Sequence, residues 1–147
     1  MSRWVVSVER RIAAPAERMY ALVADPLQHK DIDGSGSLVE PVEISSPVRP
    51  LGLGDHFGMR MDLGGKYVMT STVVEAAPGR RFAWQSRSHE DSVKWRLLFG
   101  GRIWRYEFEP DGDGTLVRES WDLSEEPLAC GCRLGSLGGA WSNAPYP

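Results

Sequence analysis

The sequence predicts an α+β domain: one strand, two short helices, then about six consecutive antiparallel strands. Three observations carry this. The stretch Arg102–Leu123 alternates apolar and polar residues on both sides of Pro110-Asp-Gly-Asp-Gly114, the signature of a β-hairpin. Further segments between Leu38 and Arg87 alternate with the same period of two and are separated by Pro- and Gly-containing turns. An apolar stripe at helical spacing, Met19, Leu22 and Val23, follows Pro15.

Taken in order, Arg3–Ile12 sets Trp4, Val6 and Val8 against Val5, Ser7 and Glu9 and reads as the first strand. Ala13-Ala14-Pro15 ends it, and Pro15 suits a first helical turn, where its missing N–H costs nothing. Met19, Leu22 and Val23 then form one apolar stripe. Asp25-Pro26 closes this helix and can cap a second over Leu27–Asp31. After a Gly/Ser loop, Leu38–Ile44 is a strand whose Pro41 requires an edge or a bulge. Ser45–Gly54 is a loop.

His56–Met61 opposes Phe57, Met59 and Met61 to His56, Gly58 and Arg60. Past Gly64-Gly65, Lys66–Glu75 opposes Tyr67, Met69, Ser71 and Val73 to Val68, Thr70, Thr72 and Val74, a strand covered on both faces. Pro78-Gly79 turns the chain into Arg81–Arg87, where Phe82, Trp84 and Ser86 share a side. Ser88–Gly101 is the least legible part, and Val93–Phe99 fits either a strand or a helical turn. In the hairpin, Trp104, Tyr106 and Phe108 share one face, with Arg105, Glu107 and Glu109 on the other. Its second arm groups Val117, Glu119 and Trp121, although Leu116 falls on the polar side.

A chain of 147 residues makes one domain that buries roughly 70% of its unfolded surface, so its core needs neither metal nor disulfide. The net charge is −3 and the basic residues come as pairs, Arg10-Arg11 and Arg80-Arg81, which argues against nucleic acid as a partner. No apolar run reaches the roughly 18 residues of a membrane span. Trp4-Val-Val is too short for a signal-peptide core, so a cytoplasmic protein is expected. Cys130 and Cys132, one glycine apart, are too close for an unstrained disulfide and lack neighbouring metal ligands. They read as reduced thiols. The three histidines have no metal-ligand spacing, so neither metal nor cofactor is expected.

Several segments resemble the START-like, or SRPBCC, superfamily in order and spacing, closest to its polyketide cyclase/dehydrase-like branch. They are Ile12-Ala-Ala-Pro-Ala-Glu-Arg-Met-Tyr20, Ala24-Asp-Pro26, His29-Lys-Asp-Ile-Asp-Gly-Ser-Gly36, Gly54-Asp-His-Phe57, and Trp104-Arg-Tyr-Glu-Phe-Glu-Pro110 followed by Gly114-Thr115. The resemblance runs from Val6 to about Pro127 and implies a helix-grip fold. In that fold a curved antiparallel sheet of about seven strands grips a long C-terminal helix over an apolar cavity. The branch has no universal catalytic motif, so the resemblance transfers few residue roles. Residues 1–127 form the expected domain. The segment 128–147 departs from the pattern, because Gly131, Gly135, Gly138 and Gly139 each cost roughly 1 kcal/mol inside a helix. A short terminal helix would leave an apolar sheet face uncovered and favour a homodimer.

Glu119 is the leading candidate for chemistry. Buried among aromatics, its pKa would rise and suit it to acid/base work in an aldol-type cyclisation or dehydration. The alternative is that it faces solvent or pairs with Arg105. Tyr106 or Tyr67 can steady a developing enolate oxygen. Met59, Met61, Tyr67, Met69, Trp84, Trp104, Tyr106 and Trp121 compose the expected inner wall, whose plain reading is core packing. Arg60 can anchor a ligand anion and His56 can shuttle a proton, but their alternation favours the outer face. His89 sits in a polar loop as a rim residue. Three functions follow: a carrier of a small hydrophobic or aromatic molecule, a polyketide cyclase/dehydratase-like lyase, and a protein-interaction module without ligand.

Overall fold

The computed structural model describes residues 4–89 and 100–125. The expectations for Val93–Phe99, Cys130, Cys132 and the terminal segment 128–147 lie outside the described residues. The elements are β1 (Val5–Ile12), α1 (Ala16–Val23), a 3-10 turn (Pro26–Gln28), α2 (His29–Ile32), β2 (Leu38–Val42), β3 (His56–Asp62), β4 (Lys66–Ala77), β5 (Arg81–Ser88), β6 (Gly100–Asp111) and β7 (Gly114–Asp122). The strands form one curled antiparallel sheet in the order β1-β7-β6-β5-β4-β3-β2. After β1 the chain crosses through the helices to the far edge, then meanders back until β7 pairs with β1 from Val5↔Asp122 to Ile12↔Thr115.

Local chemistry sets the boundaries. Asp25 accepts the Leu27 N–H at 3.1 Å and starts the 3-10 turn at Pro26, so the second predicted helix divides into that turn and α2. Pro41 lies in the edge strand β2, next to a register shift between Leu38 and Glu40. Gly58 is what lets β2 approach: a Cβ there would stand 2.7 Å from Val42 Cγ2 and 2.8 Å from the Val42 carbonyl. Gly112, at φ 61°, turns the β6–β7 hairpin. In β4 a bulge between Val73 and Glu75 rephases the strand, so that Val73 and Ala76 share the inner face. Thr72 is exposed on the outer face, so β4 is less covered there than its sequence implies.

The inner face packs against α1 and α2. Tyr20 of α1 stands edge-on to Phe82 at 5.7 Å and to Phe108 at 6.2 Å, and Val23, Leu51 and Phe57 complete this core. The Leu51 N–H donates to the Ala24 carbonyl at 2.9 Å, tying the long β2–β3 loop beneath α1. The outer face carries opposite charges from strand to strand. Glu9 meets Arg118, which reaches Glu107 at 3.6 Å; Arg81 lies 3.9 Å from Glu107 and 3.4 Å from Glu75; Arg105 holds Glu75 at 2.6 Å. Pairs in contact with water are screened and each contribute little. They fix the strand order on the outside less than the aromatic core fixes it on the inside.

Phe82→Ala should lower the unfolding free energy by about 3–5 kcal/mol in a urea titration, the cost of an aromatic cavity. Val48→Ala, at an exposed loop position, should change it by less than about 0.5 kcal/mol.

Candidate functional site

Beyond the helix-covered core the inner face is a stepped aromatic wall. Strand register places Phe82, Tyr106, Glu119 and Val8 in one row across β5, β6, β7 and β1. The next row holds Val73, Trp84, Trp104, Trp121 and Val6, and the one after it Phe57, Ser71, Ser86 and Arg102. Trp84 is sandwiched. His29 of α2 stacks on it at 5.1 Å and 26°, and Tyr106 stacks on it at 5.7 Å and 18°. Phe57 meets the edges of both His29 and Trp84. Trp104 and Trp121 form a second stack at 5.5 Å.

The Tyr106 hydroxyl donates to Glu119 Oε1 at 2.8 Å. Glu119 therefore turns inward, as Val117 and Trp121 do, while Arg105 spends its charge on Glu75 on the outer face. Burial pushes the Glu119 carboxyl above its ordinary value; the Tyr106 hydrogen bond opposes this, and the nearby Asp33 charge adds to it. Asp33 itself accepts from the Ser35 N–H and hydroxyl and from the Leu38 N–H, at 2.9, 2.6 and 2.9 Å, which fixes the α2–β2 loop. His29 is buried, and its Nε2–H donates to the Val23 carbonyl at 2.6 Å. Burial lowers its pKa, against the pull of that carbonyl and of Asp25, and keeps the imidazole neutral.

Of the residues singled out from sequence, Glu119, Tyr106, Trp84, Trp104, Trp121, Met59, Met61, Tyr67 and Met69 share the inner face. Arg60 does not; it forms an ion pair with Glu40 on the outer side. His56 is exposed at the start of β3. His89 is exposed just past β5, where its Nδ1 lies 2.9 Å from the Thr70 hydroxyl. Sequence reasoning gave no role to His29 or Asp33. Their signal was the polar His29-Lys-Asp-Ile-Asp33 segment directly after an N-capped turn, but only the packing of α2 over the sheet brings it to Trp84 and Glu119. Among the described residues no cluster of His, Cys, Asp and Glu is arranged to hold a metal, and no helix is long and apolar enough to cross a membrane.

This architecture, a single curled sheet with two short helices after its first strand and an aromatic inner face, is that of a helix-grip protein. The chain belongs to the polyketide cyclase / dehydrase and lipid transport family, which it matches over residues 3–136. It is 34% identical over 119 residues to the uncharacterized protein Rv0088 of Mycobacterium tuberculosis, a match that covers 80% of this chain and 46% of that protein. The chain thus spans about half the length of the curated relatives it matches. Its fold resembles the crystal structure of CV1439 from Chromobacterium violaceum, with a TM-score of 0.61 at 20% identity over 87% of this chain and 83% of that one. It also resembles the solution structure of the Aha1 dimer from Colwellia psychrerythraea, with a TM-score of 0.51 at 17% identity over 79% of this chain and 73% of that one. At such identities the likeness concerns the fold alone.

The two shifted groups act on opposite limbs of the stability–pH curve. Glu119 has a folded pKa above its ordinary 4.5, so its contribution is complete below 4.5 and is lost as pH rises through the raised value. Glu119→Gln should therefore gain thermal stability on the parent as pH climbs above 4.5, with the two melting temperatures converging in acid. His29, with a folded pKa below 6.5, gives stability that is complete above 6.5 and lost as pH falls beneath it. Melting curves across the acid-to-neutral range check both limbs.

Proposed function

We propose that the inner face binds a small apolar molecule with a flat body, lying against Trp104, Trp121 and the β3–β4 methionines, and that Glu119 is its hydrogen-bonding contact. The observation that carries this is a carboxyl held by Tyr106 at 2.8 Å on a face otherwise built of Trp104, Trp121, Val8 and Val117. A carboxyl placed for packing alone is costly there. With its pKa raised, Glu119 keeps its proton further towards neutral pH. One oxygen accepts from Tyr106, and the protonated group can donate to a ligand carbonyl or ether. Membership of a family described by cyclases, dehydrases and lipid transport supports an apolar ligand.

The same carboxyl favours a second reading, acid/base catalysis on a small carbonyl compound. On a β-hydroxy carbonyl compound, ionised Glu119 takes the proton from the carbon beside the carbonyl and gives it to the β-hydroxyl; the freed electron pair forms a C=C bond as the C–O bond breaks and water leaves. Tyr106 would then hold Glu119 as a positioning residue.

Native mass spectrometry of the purified chain, before and after denaturation, should reveal a small apolar molecule held without a covalent bond. Fluorescence titration should show uptake of neutral phenylnaphthylamine. An empty chain that also ignores this probe overturns the reading. Glu119→Gln separates carrier from enzyme: the amide still accepts from Tyr106 and still donates, so an apolar molecule stays bound, while acid/base turnover falls by about 100-fold or more.

A further inference from the structure

The row Phe57–Ser71–Ser86–Arg102 interrupts the inner wall. On one side lie Val73, Trp84, Trp104 and Trp121, and on the other Met59 and Met69. Between these bulky walls two strands present serines, whose side chains are the smallest in the row. Both are buried, and their hydroxyls lie 2.9 Å apart. Two hydroxyls carry two protons and their mutual bond uses one, so the pair keeps donor capacity.

Arg102 stands directly across from Ser86 in the β5–β6 register. Its guanidinium lies 5.7 Å from the centre of the Trp121 ring, a cation–π contact that directs the charge along the inner face. Its field reaches Tyr67 at the far end of β4, where it works against the upward shift that burial gives the Tyr67 hydroxyl. A guanidinium has five N–H donors and binds carboxylate or phosphate oxygens while holding other partners.

Resting on the proposal that this face binds a small molecule, we infer that the ligand is an apolar acid: a flat apolar body against the tryptophans, and one anionic oxygen group, carboxylate or phosphate, at Arg102 and the Ser71–Ser86 pair. The two ends of the wall then recognise different features. Glu119 offers a neutral donor to an uncharged oxygen, and Arg102 supplies the countercharge for the acid.

Two probes on one skeleton test this: anionic anilinonaphthalene sulfonate and neutral phenylnaphthylamine, titrated into the full chain by fluorescence. The chain should bind the sulfonate more tightly than the neutral probe by about fivefold or more, and the margin should shrink at high salt. Arg102→Gln should erase the margin while moving neutral-probe affinity by less than about twofold, and Arg102→Lys should keep most of it. Naphthoate or naphthyl phosphate should displace the bound sulfonate, the stronger competitor identifying the oxyanion. If the neutral probe binds but the sulfonate has no advantage, or if Arg102→Gln leaves the advantage intact, the inference fails and the apolar-ligand reading stands. If neither probe binds, both fail. Should Arg102→Gln not fold, the salt series and Arg102→Lys decide: a margin indifferent to salt, or lost in the lysine variant, overturns the inference. Displacement by neither competitor overturns it as well.

Discussion

The stacking of His29, Trp84 and Tyr106 is the contact on which the rest of this structure depends. It joins the helical layer to the middle of the sheet through three flat rings at 5.1 and 5.7 Å. His29 is oriented from behind by the Val23 carbonyl, at the end of α1, so the position of Trp84 is set by the loop between the helices. Tyr106 is in turn oriented by Trp84, and its hydroxyl meets Glu119. A hydrogen bond on β7 is thus fixed by a helix end remote from it in sequence. Displacement of α2 would uncover one face of the indole, which Phe57 and Tyr106 would still contact.

The two faces of the sheet follow different electrostatics. Outside, carboxylates and guanidinium groups alternate across five strands in contact with water, where each pair matters little. Inside, one carboxyl is shifted mainly by burial, and its partner is a phenol rather than a cation. Glu75 illustrates the contrast. Burial works to raise its pKa too, yet Arg105 and Arg81 overcome this and lower it. Glu119 and Glu75 differ in role because of what faces them across the strand.

Much of this was legible in the sequence, because strands betray themselves by a period of two. Alternation across Trp104, Tyr106 and Phe108 assigned the inner face of β6 correctly, and the shared parity of Val117, Glu119 and Trp121 carried Glu119 inward with them. The same logic put Arg60 outside, where Glu40 meets it. Periodicity could not supply contacts between distant elements. Nothing in the spacing of His29 indicates that it will lie on Trp84, and Asp33 reads as a loop residue until α2 is placed over the sheet. Nor does alternation announce its own interruptions: strict counting puts Glu75 on the same side as Val73.

The bulge at Val74 is where that counting breaks, and it makes β4 two half-strands of opposite phase. The first half gives Met69, Ser71 and Val73 to the inner wall; the second gives Ala76 to it and sends Glu75 out to Arg105. One inserted residue therefore keeps a hydrophobic wall and an ionic lattice in step along a single strand. Chain length is consequently not interchangeable around this protein. An extra residue beside the exposed Val48 lengthens a connection, whereas a residue lost at Val74 would exchange the two surfaces of the strand beyond it. Over evolutionary time, insertions and deletions should therefore gather in the loops and spare this position.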